Sequence, residues 1–269
     1  MTQRRYELTD FEWSVIEPLL PNKPRGVPRV DDRRVLNGIY WRLRTGSPWA
    51  DIPERYGPYT TCYNRFVRWG KLGVWKRIFD ALSEAYDGSE QSLDATSIKV
   101  HPHGANGQKG GLEETGPTAL ADLRACALGR SRGGLTTKLH AVTDARGLPV
   151  TLHLTPGQAH DGKTGLALIG TLGPGLRLLA DAAYDMNALR DVLAARGAEA
   201  QIKPLARRNP MPAFDRTAYR RRNRIERFFS KIKQFRAIAT RYEKHDENFL
   251  NLIRLASIRI WLRHDESVA

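Results

Sequence analysis

Ser92-Leu93-Asp94-Ala95-Thr96-Ser97-Ile98-Lys99-Val100 reads as a β-strand with Leu93, Ile98 and Val100 as its apolar positions, and it opens a new texture in the chain just after Gly88. Downstream, Leu135 to Asp144 and Pro149 to Leu154 read as two strands joined by a hairpin at Ala145-Arg146-Gly147. Asp161 to Leu172 reads as a helix, Leu176 to Ala180 as a strand, Met186 to Arg196 as a helix and Ala198 to Leu205 as the closing strand, before long helices from Thr217 onward. Strand, strand, strand, helix, strand, helix, strand predicts an α/β fold on a mixed sheet flanked by helices. A polar, Gly-rich connection from His101 to Gly134 interrupts the strands and is too long for an ordinary turn.

Upstream of Gly88 the chain reads as helical. Thr9-Asp10-Phe11-Glu12 is a capping box opening a helix that stops near Pro18 to Pro21. After a basic Pro/Gly loop, Asp31 and Asp32 favour the start of a helix with Val35, Leu36, Ile39, Tyr40 and Leu43 on its apolar face. Ser47-Pro48-Trp49 begins a short helix ended by Gly57-Pro58, Thr60 is placed to cap another from Thr61 to Lys71, and a last one carries Trp75, Ile78, Phe79 and Leu82. Two short helices around a Gly-containing turn, the second bearing Thr61, Asn64, Arg65 and Arg68, are similar to a helix-turn-helix; DNA reading and plain scaffold both remain open for it. The expected division is a small all-helical domain over 1–88 and an α/β domain over 89–269.

The 269 residues suffice for one large domain or two, and 41% hydrophobic against 27% charged residues excludes a mainly disordered chain. Lys+Arg 43 against Asp+Glu 29 leaves a net charge of +14, which points to a polyanionic partner. Most of that charge is concentrated: residues 206–244 hold 13 basic and 3 acidic groups, interleaved with Tyr219, Phe228, Phe229, Phe235 and Tyr242, as in a nucleic-acid track. No run approaches the ~18 apolar residues of a membrane span. Met1 to Asp10 lacks an apolar signal core, and Cys62 and Cys126 form no C-x-x-C pair, so a cytoplasmic protein is expected.

Three acids stand out. Asp94 lies inside a strand, Asp181 ends the Leu178-Leu179-Ala180 strand, and Glu226 is nearly the only acid in the basic stretch. At ~100° per residue, Tyr219, Arg222, Glu226 and Lys233 fall on one helix face, while Ile225, Phe228, Phe229, Ile232 and Phe235 form the apolar side. Carboxylates converging on one point repel one another unless a hard cation such as Mg²⁺ or Mn²⁺ is present. Two such ions would suit an in-line phosphoryl displacement, with Arg222 and Lys233 on the phosphate backbone.

Tyr219-x-x-Arg222-x-x-x-Glu226-x-x-x-x-x-x-Lys233 resembles, spacing included, the Y-R-E-K signature of RNase H-like DDE transposases from bacterial insertion sequences. Leu93-Asp94 with Thr96-Ser97, Gly129 to Lys138, Thr155-Pro156-Gly157-Gln158-Ala159-His160-Asp161 and Leu179-Ala180-Asp181 agree with it. Pro48-Trp49-Ala50-Asp51-Ile52-Pro53 and Tyr56 to Thr61 are similar to the helical leader of the IS-five type. The resemblance implies an RNase H-like catalytic domain over 89–269, with Asp94, Asp181 and Glu226 as catalytic residues and as ligands of two Mg²⁺ (or Mn²⁺) ions. It implies Tyr219, Arg222, Arg227 and Lys233 as DNA contacts, His160 and Asp161 as supporting residues, and nicking and strand transfer at terminal inverted repeats. Double-stranded DNA, as repeat and as target, is then the partner of a homo-dimer in a synaptic complex. One departure stands out: the family usually places Lys or Arg after the second aspartate, where this chain has Asp181-Ala182-Ala183-Tyr184. A DNA-binding derivative impaired in catalysis and a metal-dependent nuclease of the same fold are therefore the alternatives.

Other polar residues receive plainer readings. Asp144 is expected as a turn residue, Asp161 as an N-cap and Asp185 as a helix-start residue, and His101-Pro102-His103 lacks partners at zinc-ligand spacing. Phe249, Leu252, Ile253, Ala256, Ile260 and Trp261 recur at helical spacing and are expected in the core.

Overall fold

The computed structural model describes residues 6–21, 31–105, 127–131, 133–170 and 175–268. In chain order the elements are α1 (Asp10–Ile16), α2 (Asp32–Thr45), α3 (Tyr59–Lys71), α4 (Val74–Ser83), β1 (Glu90–Val100), α5 (Pro102–Ala105), β2 (Gly129–Ser131), β3 (Gly134–Thr143), β4 (Pro149–Pro156) and α6 (Asp161–Ile169). They continue with β5 (Arg177–Ala180), α7 (Asn187–Ala195), β6 (Glu199–Ile202), α8 (Arg216–Arg220), α9 (Asn223–Lys233), α10 (Arg236–Ala239), β7 (Thr240–Arg241) and α11 (Asp246–Val268). They form two compact units, one of residues 1–84 with 231–269, the other of residues 85–230. Most of the long polar connection expected over 101–134 lies outside the described residues.

The first unit is helical. The capping box is present: the Thr9 hydroxyl accepts from the Glu12 amide and the Glu12 carboxylate accepts from the Thr9 amide. Asp31 caps α2, whose Val35, Leu36, Ile39, Tyr40 and Leu43 are all buried. Two predicted details differ. The segment opening at Trp49 forms two single 3-10 turns, Trp49–Asp51 and Glu54–Tyr56, instead of a helix. The cap of α3 is Pro58, not Thr60; Pro fits there because the first amides of a helix have no intrahelical partner. The core gathers Trp69, Trp75 and Trp261, all at 1% exposure or less, with Trp69 edge-on to Trp75 at 5.2 Å. Long α11 supplies Phe249, Leu252, Ile253, Ala256 and Trp261 to this core. Residues of this kind stabilise by roughly 1.5–3 kcal/mol each when fully buried.

The second unit is a sheet with helices. Its strands run in the order β2-β3-β1-β5-β6, and β4 also pairs with β3. The β1–β3, β2–β3 and β3–β4 pairs are antiparallel, whereas β1–β5 and β5–β6 are parallel. The β3–β4 turn is organised by buried Asp144, whose carboxylate accepts from the Arg146 and Leu148 amides at 2.9 and 2.8 Å; Gly147 follows at φ +83, where a side chain would be strained. Leu93, Val142, Leu178, Ala180, Leu189, Leu193 and Ile202 pack into one cluster under α6 and α7. No helix among the described residues is long and apolar enough to cross a membrane.

Candidate active site

Strand register sets the first contact. In the parallel β1–β5 pair Leu93 faces Ala180, so the next residue of each strand, Asp94 and Asp181, emerges side by side at the end of β5. Ligand sites of α/β sheets lie outside such carboxyl ends. Asp181 then caps a 3-10 turn, Ala182–Tyr184, its Oδ1 accepting from the Ala183 amide at 2.8 Å. Asp94 Oδ1 accepts from the Ala95 amide at 2.8 Å.

Glu226 comes from α9, and Arg222 ties it to Asp94. The guanidinium Nη1 lies 2.5 Å from Asp94 Oδ2, and Nη2 donates to Glu226 Oε1. The same group sits 5.4 Å from the centre of the Tyr219 ring. A single straight helix through Tyr219 and Glu226 is not what forms. The chain tightens between α8 and α9, where the amides of Arg221, Arg222, Arg224 and Ile225 each bond the carbonyl three residues back. Tyr219 and Arg222 keep their contact through this tight turn, and Ile225, Phe228, Phe229 and Ile232 remain buried.

The electrostatics follow the geometry. Asp94 is pushed up to about 6, first by burial and further by Asp181 and Glu226, against the pull of the Ala95 amide and Arg222. Tyr184 is 1% exposed, and its hydroxyl has no hydrogen-bond partner among the described residues. Burial holds that phenol above its usual range, with Asp161, Asp94 and Asp181 adding to the effect. Gly165 permits this packing, since a Cβ there would come within 2.6 Å of the Tyr184 ring.

The remaining residues divide by exposure. Asp161 is not the cap of α6; His160 is, its Nδ1 accepting from the Gly162 amide at 3.1 Å. Asp161 instead accepts from Lys138 Nζ at 2.8 Å, and its Oδ1 lies 4.0 Å from Nδ1 of fully buried His140. Lys138 and His140 carried no individual signal in the sequence, although Lys138 ends the Gly129 to Lys138 word that resembles the family and His140 lies two residues beyond it. Asp185 begins no helix: it is buried, ion-paired with Arg190 at 2.8 Å and Arg208 at 2.9 Å. Arg227 is exposed on α9, and Lys233 is half-buried at its far end, within the first unit. On α3, Asn64 and Arg68 are exposed and Thr61 is half-buried. Arg65 differs: its side chain is 7% exposed, ion-paired with Asp32 and 4.9 Å from the Trp69 ring centre.

Three carboxylates form an all-oxygen donor set suited to a hard cation. As they stand, no three His, Cys, Asp or Glu side chains among the described residues are drawn together tightly enough to hold a metal ion. Arg222 now supplies positive charge between Asp94 and Glu226. The Asp94 carboxyl is raised first by burial and then by its two acidic neighbours despite this cation, and the oxygen chemistry of the three side chains is of the kind that suits an added divalent ion.

Four strands in antiparallel pairing, β1 to β4, continued by parallel β5 and β6 and with helices alongside, define an RNase H-like fold. Residues 86–261 match the family described as "Transposase DDE domain", and residues 8–79 match "Putative transposase of IS4/5 family". The chain belongs to the DDE transposase family of insertion sequences. It is 43% identical over 130 residues to a "Putative transposase for insertion sequence element IS6501" of Brucella ovis, covering 48% of this chain and 100% of that protein. It is 37% identical over 107 residues to the "Insertion element IS402 uncharacterized 16.2 kDa protein" of Burkholderia cepacia, covering 35% and 73%. A piggyBac transposase, solved as a synaptic complex with hairpin DNA, superimposes with a TM-score of 0.53 over 96% of this chain and 72% of that one; at 8% identity the likeness is one of fold.

Proposed function

We propose that this chain binds the terminal inverted repeats of its own insertion sequence and catalyses cleavage and strand transfer there, with Asp94, Asp181 and Glu226 as the catalytic acids. The observation that carries the reading is the convergence of Asp94 and Glu226 on Arg222 beside Asp181. Those three acids would hold two Mg²⁺ or Mn²⁺ ions, which would supply charge stabilisation to the entering and leaving oxygens of an in-line phosphoryl displacement.

The chain's own residues do the positioning. Asp94 is fixed by strand pairing with Ala141 of β3 and by the Ala95 amide, and Asp181 by its turn. Arg222 occupies the Asp94–Glu226 gap in the free protein and is the group placed to turn its fork onto a scissile phosphate when DNA enters. Tyr219, against the Arg222 guanidinium, limits where that fork can swing. Asp161, held by Lys138, is a supporting residue whose charge acts on the nearby Tyr184 phenol. Arg227 and Lys233 add phosphate contacts, and Thr61, Asn64 and Arg68 read the repeat ends. Arg65, already committed to Asp32, serves to hold that helix. The chain works as a dimer on DNA in the cytoplasm.

The test is incubation of the full chain with a labelled duplex carrying its element's end, with Mg²⁺ or with EDTA. Mg²⁺-dependent nicking at the repeat terminus and joining to a second duplex are expected. Binding without either product would favour the catalytically impaired alternative.

A further inference from the structure

A cavity of about 220 Å³ lies inside the helical unit, lined by Tyr6, Tyr40, Arg44, Phe235, Arg259 and Arg263. Two pairs spaced four residues apart build facing walls, Tyr40 with Arg44 on α2 and Arg259 with Arg263 on α11. Arg259 is a fixed wall. Its Nη1 and Nη2 donate to the Tyr6 and Glu7 carbonyls at 2.9 and 2.6 Å, its Nε lies 2.9 Å from buried Glu12, and its guanidinium lies 5.0 Å from the Tyr40 ring centre. Arg44 stands 5.4 Å from the Phe235 ring centre, its Nη1 donating to Gln234 Oε1 at 3.5 Å. Arg263, with its side chain 56% exposed, is 3.7 Å from the same Glu12 oxygen that Arg259 approaches.

Three guanidinium groups thus line one small space, and buried Glu12 lies beside two of them. Forked N–H groups match the oxygens of a phosphate, and three of them converging on one cavity form a polydentate donor set for an anion. The three rings offer an apolar face to whatever the phosphate is attached to. We propose that this cavity is a binding site for a backbone phosphate of duplex DNA, with Arg44 and Arg263 as its gripping residues and Arg259 as its rigid floor. The proposal rests on the DNA-binding reading above and places a contact, through Arg44 and Arg263, far in sequence from Tyr219, Arg222 and Glu226. A free mononucleotide shares the phosphate chemistry; the chain's +14 charge selects the polymer.

The experiment titrates the full chain with duplex from the element's end across a salt series. The Arg44→Gln/Arg263→Gln double variant is compared with a charge-matched control, Lys76→Gln/Arg77→Gln, whose side chains lie on α4 outside the cavity. The cavity variant is expected to bind roughly tenfold more weakly, with a log–log salt slope lower than the control's by roughly 0.9. An Arg44→Lys/Arg263→Lys variant keeps the charge without the fork, and retention of the slope with weaker binding is expected of it. This pair is read in place of the first if the Gln variant melts early. Equal slopes and affinities for cavity and control variants, with wild-type binding intact, overturn the site and leave the DNA reading standing. A melting point raised by deoxyadenosine monophosphate in wild type and not in the variant, with duplex binding unaffected, also overturns it by assigning the cavity to a free nucleotide. Failure of the wild-type chain to bind duplex at all removes both.

Discussion

Arg221 grips Glu90 with a two-armed contact, Nε at 2.9 and 3.0 Å from the two carboxylate oxygens and Nη2 at 2.6 Å from Oε2. Glu90 opens β1, the strand of Asp94, and Arg221 precedes α9, the helix of Glu226, so the pair fixes the strand that carries one acid against the helix that carries another. Arg177 and Arg224 stand 3.8 and 3.7 Å from the same carboxylate.

Glu90→Ala leaves three guanidinium groups around a largely buried vacancy. Because Arg221 remains about a third exposed, the loss should fall below the full cost of breaking a buried pair, at about 1–3 kcal/mol. Glu90→Gln, which keeps an acceptor oxygen, should cost less than half of that. Urea unfolding midpoints at pH 7 check both, and equal midpoints for wild type and Glu90→Ala would show the pair to be energetically idle.

His140 makes stability fall in mild acid. Burial drives its imidazole down to about 4 from 6.5, with the Asp161 carboxylate only partly opposing. Below 6.5 the unfolded chain takes up a proton that the folded chain refuses, so this stability is fully present above 6.5 and is lost as pH falls towards 4. At pH 5 the loss from this residue is about 2 kcal/mol. Asp94 has the opposite sign, because a raised carboxyl contributes stability that is lost as pH rises through about 6. Denaturant midpoints of wild type and His140→Gln at pH 7 and pH 5 isolate the histidine; a flatter profile is expected in the variant.

Ala182 stands directly after Asp181, where the family resemblance leads to the expectation of a basic residue. It is the first residue of the turn capped by Asp181 and is half-buried at the edge of the site. A charge-assisted bond from that position to a phosphate is worth ~1.5–3 kcal/mol. Ala182→Arg should raise strand transfer about tenfold, as ~1.4 kcal/mol of recovered transition-state stabilisation implies. Unchanged activity would mean that the position does not face DNA.

Much of this arrangement was legible in the chain. Four strands came within two residues, because apolar alternation and turn residues bound them closely; the last strand stops at Ile202, three residues before the expected Leu205, and the short strand Gly129–Ser131 lies inside the segment read as a polar connection. Asp94, Asp181 and Glu226 stood out as acids in apolar or basic company. What stayed hidden depended on long-range partners. Periodicity at 100° per residue does not register the i to i−3 tightening at residues 221–225, nor does exposure of an arginine follow from its type, since Arg65 is drawn inward by Asp32 and Trp69. The packing of 246–268 with the N-terminal helices was equally invisible, because a helix written as core does not say which core.

The central claim is that Asp94, Asp181 and Glu226 form one catalytic centre. It is tested most directly by measuring Mg²⁺-dependent cleavage of the element's own end by Asp94→Ala, Asp181→Ala and Glu226→Ala, each alongside its DNA affinity. Removing any of these acids adds no repulsion towards phosphate, so duplex affinity should stay within a few-fold of wild type while cleavage disappears in all three. Cleavage at the wild-type rate by any one variant would contradict the assignment.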